Sequence, residues 1–98
     1  MESVKQYSSF IKRIVTAPLN IRIRLLSSSN PKIIKTIAEI ILNIIHKNIE
    51  VPRSALSQFR KFKKVLYRLV AAKDDTSRKK ILLGNPKCLV PLGVIFKK

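Results

Sequence analysis

The run NPKIIKTIAEIILNIIHK, from Asn30 to Lys47, decides how the rest of the chain is arranged. The Asn30 side chain can accept from free amides at a helix start. Pro31, in the first helical position, gives up a hydrogen bond that no residue there would make, so a helix begins at this point. Ile33, Ile34, Ile37, Ile40, Ile41, Leu42, Ile44 and Ile45 then wrap most of the circumference through about Lys47. That is the pattern of a helix enclosed on several sides, and it makes this segment the centre of the core.

The flanks supply the helices that enclose it. Upstream, Val4, Tyr7, Ile11, Ile14 and Val15 recur at three- and four-residue steps, and Pro18 ends that stripe. Leu19 to Leu26 alternates Ile21, Ile23 and Leu25 with Arg22 and Arg24 as a strand would, but no second strand exists to pair with it, so a short helix is expected. Downstream, Asn48 to Pro52 reads as a turn, and Arg53 or Ser54 opens a helix to Ala72 with Leu56, Phe59, Phe62, Leu66, Leu69 and Val70 on its apolar stripe. Asp74-Asp75-Thr76-Ser77 offers caps for a last short helix, Arg78 to Leu83, stopped by Gly84-Asn85-Pro86. The apolar run Cys88 to Phe96 contains Pro91 and Gly93 and reads as too proline-bound for a regular helix. The expected fold is therefore all-α: a compact bundle of about four short helices over residues 1–84, a basic helical domain, with a hydrophobic and basic C-terminal tail over residues 85–98.

A chain of 98 residues carries one modest core. Only two glycines interrupt it, which favours long helical segments over a many-turned β design. Its net charge is +16, from 21 Lys and Arg against five Asp and Glu, and such self-repulsion calls for a polyanionic partner. The charge is uneven: residues 1–50 hold eight cations and three acids, residues 51–98 thirteen and two. The single cysteine, Cys88, cannot form an internal disulfide, which fits a reducing intracellular compartment. Met1 to Phe10 has no apolar core of a secretion signal. The longest apolar stretch, Ile37 to Ile45, is broken by Glu39 and Asn43 and falls short of the roughly 20 residues of a spanning helix, so a soluble protein is expected.

No catalytic set emerges. His46 and Cys88 lack metal-ligand spacing, with His46 read as a helix-edge residue and Cys88 as a small hydrophobe. The acids read as helix and capping residues, and no phosphate loop or dinucleotide fingerprint occurs. The expectation is a protein that is not an enzyme and takes no cofactor and no metal. The functional candidates are cations. Arg60, Lys61, Lys64 and Arg68 fall roughly opposite the apolar stripe of their helix, Lys63 flanks the stripe and must snorkel, and Arg78, Lys79 and Lys80 sit at the start of the last helix. Three cations there oppose the helix dipole, which points to an anionic partner. Residues 53–73 hold seven cations and no acid, whereas a merely solvating surface mixes both signs. Nucleic acid is the expected partner, double-stranded DNA being favoured, through backbone phosphates and largely without regard to sequence. Phe59 and Phe62 belong to the core stripe and are not expected to stack on bases.

Two other classes stay open. An amphipathic protein could engage anionic membrane through the Ser54 to Ala72 helix and the tail from Leu89 to Phe96. A helical interaction module or homo-oligomer would follow if the Ile-rich stripes exceed what one small core covers. A sequence-specific helix-turn-helix ranks lower, because Gln58 is the lone base-reading candidate on the outer helix.

Ala38-Glu39-Ile40 with Asn43, Asn48-Ile49, Phe59 to Lys64, Leu66, Leu69-Val70-Ala71, Ser77-Arg78-Lys79-Lys80 and Leu83-Gly84 together resemble a small basic protein of Polinton/Maverick elements and the related adintoviruses. The similarity spans roughly residues 17–92. In those elements the protein looks like a counterpart of the adenovirus DNA-condensing core proteins. The resemblance therefore implies non-enzymatic DNA binding or condensation by a virion core-like protein, located in a virion or host nucleus. On that match Lys79 and Lys80 take the place of the family's terminal basic run, and Lys63 and Lys64 that of the basic pair in the preceding helix. The family's usual ending, a glycine pair and a Phe-Leu-Pro segment, is absent: Gly84 is followed by Asn85, and Lys87 to Leu92 mirrors the apolar segment only loosely.

Overall fold

In the computed structural model the backbone is described for residues 2–46 and 51–96, and the side chains for residues 7–46 and 51–94. The Ile-rich run forms α3 (Pro31–Ile45), which follows α1 (Glu2–Thr16) and α2 (Leu19–Ser28). Its start is as the residues dictate: Asn30 Oδ1 accepts from the Ile33 amide at 3.0 Å, with Pro31 in the first turn. Ile33, Ile34, Thr36, Ile37, Ala38, Ile40, Ile41 and Ile44 are buried, an arc of roughly 200° at 100° per residue. The Thr36 hydroxyl donates to the Lys32 carbonyl at 2.7 Å and so enters the core satisfied. Each enclosed isoleucine contributes on the order of 2 kcal/mol of transfer free energy, which makes α3 the principal source of burial. The one core thus covers most of the Ile-rich surface, and Leu42 is left exposed.

Around α3 the described residues form α4 (Arg53–Lys61), α5 (Lys63–Ala71), α6 (Asp75–Gly84), a 3-10 turn (Pro86–Leu89) and α7 (Val90–Phe96), with no strand among them. The all-α expectation holds; the expectation of about four helices does not. One cause is Phe62, whose φ of −103° and ψ of 14° interrupt what reads as a single helix to Ala72. The Phe62 amide donates to Gln58 O at 3.1 Å, closing α4, and Phe62 O accepts from the Leu66 amide at 3.0 Å, opening α5, so this one residue ends one helix and starts the next. The bend lets the two halves pack on different partners, α4 on α7 and α5 on α3 and α6. On α4 the buried residue is Ala55 and Leu56 is exposed, which corrects the expected stripe. Ala55, Phe59, Phe62, Leu66 and Leu69 step by 4, 3, 4 and 3, a more regular stripe than one begun at Leu56.

The second cause is the C-terminal segment, expected as an irregular tail. Pro91 sits in the first turn of α7, where its missing N–H removes no helical hydrogen bond, and Pro86 opens the 3-10 turn. Cys88, Leu89 and Leu92 are fully buried in the same core as α1 and α3, and burial pushes the Cys88 thiol up to about 12 against the pull of nearby Arg22. Gly93 lets α7 come up against the end of α1: a Cβ there would stand 2.6 Å from the Val15 carbonyl oxygen.

Arg22 joins these parts. α1 stops before Pro18, and its last carbonyls need donors. The Arg22 guanidinium, buried to 6% exposure, supplies them to Ile14 O at 3.0 Å, Val15 O at 3.2 Å and Ala17 O at 2.9 Å, and also reaches Pro86 O at 3.1 Å. The expected short helix over residues 19–26 is present as α2, turned so that Arg22 and Leu26 face inward while Ile21 and Ile23 are exposed. The expected turn over residues 48–52 and the match at Asn48-Ile49 fall largely outside the described residues.

Candidate nucleic-acid interface

Of the eight cations singled out by sequence, Arg60, Lys61, Lys63, Lys64, Arg68 and Lys80 are exposed. Arg60 and Lys61 close α4, and Lys63, Lys64 and Arg68 lie on α5, so the ridge expected on one helix is divided between two at Phe62. Lys64 and Arg68, four residues apart on α5, share one side of that helix. Leu66 and Leu69 are buried beneath, fixing which side of α5 is left for charge. Two of the ammonium groups stand over aromatic rings: Lys61 Nζ is 5.7 Å from the Phe62 centroid and Lys63 Nζ 5.9 Å from that of Tyr67.

Arg78 and Lys79 are placed differently. α6 begins at Asp75 with Asp74 as its cap, so both lie beyond the first three positions. Asp74 Oδ1 accepts from the Ser77 amide at 2.7 Å, which holds this carboxyl below its ordinary range. Arg78 pairs with Asp75 at 2.6 Å and donates to Ala72 O at 2.9 Å, closing the end of α5. Lys79 Nζ donates to Ser29 O at 3.2 Å at the end of α2. The expected clash of three cations with the helix dipole is therefore met inside the fold, by Asp74, Asp75 and two carbonyls, and does not by itself require an external anion. Only Lys80 of the three projects freely enough to be exposed.

The exposed charge is broader than the sequence candidates. Lys12, Arg13, Arg24, Lys32, Lys35, Arg53, Lys73 and Lys87 are also exposed, whereas the only exposed acid among residues with described side chains is Asp74. The signal for the wider surface was the charge imbalance itself; which cations would be withdrawn needed the tertiary fold. Tyr67 was missed altogether. At 48% it has the greatest exposure of the large apolar and aromatic side chains among the described residues, and it stands among Lys63, Lys64 and Arg68.

Among the described residues no group of three or more His, Cys, Asp or Glu is placed to hold a metal ion, and no helix is long and apolar enough to cross a membrane. No family model, curated protein or solved structure matches the chain.

Proposed function

We propose that this protein binds DNA without catalysis and largely without regard to sequence, coating or condensing it as a virion core-like protein of a virus or virus-derived element. The observation that carries this reading is the surface itself: fourteen exposed Lys and Arg face one exposed acid across the described side chains. The mechanism is charge neutralisation with release of condensed counterions, led by Arg60, Lys61, Lys63, Lys64 and Arg68 with Lys80. Arg78 and Lys79 act mainly by holding α5, α6 and α2 together. The resemblance to the small basic proteins of Polinton/Maverick elements and adintoviruses supports the same role, in a virion or host nucleus.

The membrane alternative is less well supported. Its hydrophobic tail contributes Leu89 and Leu92 to the core, and insertion of this segment into lipid would take both out of it. A homo-oligomer remains compatible with the exposed Leu19, Ile21, Ile23, Leu42 and Leu56.

The test is a fluorescence-anisotropy titration with several unrelated duplexes over a salt series. The expected result is similar affinity for all, with log K falling against log salt at a slope of about 5 if six phosphates are engaged. No binding at low salt by the folded protein would overturn the proposal.

A further inference from the structure

The ring of Tyr67 is not needed by the core, and its surroundings restrict what can cover it. On α5 it lies roughly 130° from the midpoint of the buried pair Leu66 and Leu69. Lys63 and Lys64 precede it by four and three residues on the same face, Arg68 adjoins it, and the next position on that face is Ala71, exposed and too small to shield it. An exposed ring set among three exposed cations repels a basic partner, and a purely apolar partner would have to strip water from those charges. It suits a ligand that offers a flat π-face and negative charge together: the Lys63 ammonium stands over the ring 5.9 Å from its centroid, and a phosphate that draws it aside leaves the face to a base.

We infer that Tyr67, flanked by Lys63, Lys64 and Arg68, is a stacking site for an unpaired base of single-stranded nucleic acid, whose neighbouring phosphates are held by the three cations. The inference rests on the nucleic-acid reading above and adds a distinction to it. Duplex and single strand both offer phosphates to the cations, but a duplex keeps its bases stacked on one another and gives Tyr67 nothing to hold. The ring therefore contributes to strand binding alone.

The chain has two tyrosines and no tryptophan, so Tyr7→Phe leaves Tyr67 as the sole source of intrinsic tyrosine emission. This variant is titrated with an oligothymidylate strand and, separately, with a duplex of equal length, and the same polymers are titrated by anisotropy against Tyr67→Leu and Tyr67→Phe in the otherwise unchanged chain, each checked for helicity and Tm. The expected result is strong quenching by the strand and little by the duplex. Tyr67→Leu should weaken strand binding about tenfold while leaving duplex binding within about twofold, and Tyr67→Phe should retain strand affinity. Strand binding without quenching, or equal weakening of both polymers in Tyr67→Leu, overturns the stacking site and leaves phosphate binding standing. Failure of the folded protein to bind either polymer overturns both.

Discussion

Helices α2 and α5 are both short and basic, and each mixes large apolar residues with arginine, yet Arg22 of α2 is turned inward, unlike its neighbour Arg24 and unlike Arg68 of α5. In α2 Arg22 is buried while Ile21 and Ile23 face solvent; in α5 Leu66 and Leu69 are buried and Arg68 is exposed. The difference lies in what each helix packs on. α2 runs back past the end of α1, where the carbonyls of Ile14, Val15 and Ala17 need donors, and a guanidinium satisfies three of them at once. α5 packs along the apolar sides of α3 and α6, where leucine is the better fit and arginine is left outside. A cation in this chain is thus either a connector or a surface, and net charge alone does not say which.

The largest effect that can break this comparison is an exchange of arginine on each side. Arg22→Leu keeps apolar bulk but strands carbonyls of α1 and Pro86, and should cost roughly 3 kcal/mol, a fall in Tm on the order of 15 °C. Arg68→Gln should change stability by no more than about 0.5 kcal/mol. Urea denaturation of the two variants checks both figures, and equal destabilisation would erase the distinction.

A smaller effect sharpens the account of α6. Asp74 is held below its ordinary carboxyl range by the Ser77 amide, so its contribution is present above about pH 4 and is lost as the pH falls through the lowered native value. The Tm difference between the wild-type protein and Asp74→Ala should therefore be constant from about pH 5 to 7 and shrink below about pH 4. A difference that grows on acidification would contradict the cap.

The features legible in the sequence were those set by local chemistry. Asn30-Pro31 marks the start of α3, Pro18 the end of α1, and the Asp74 region the start of α6, because caps and proline act within a few residues. The role of Arg22 was not legible, since alternation with isoleucine carries no sign that another helix ends beneath it. Pro91 was misread for a related reason: proline breaks a helix interior but is accommodated in a first turn, and the start at Val90 is set by docking of Leu89 and Leu92 in the core. Phe62 bends the chain with neither proline nor glycine to announce it. The outward cations of α4 and α5 were recoverable from periodicity, whereas the withdrawal of Arg78 and Lys79 depended on Ala72 and Ser29, the latter 50 residues away.

The central claim is that the α4–α5 cations meet phosphate and the α6 pair holds the fold. Salt-series titration of one duplex compares wild type, Lys61→Gln/Lys64→Gln/Arg68→Gln, and Arg78→Gln/Lys79→Gln. The account predicts a slope shallower by about 2.7 for the first variant, near-wild-type slope for the second, and a lowered Tm in the second alone. Equal loss of slope in both variants, or none in the first, would contradict it.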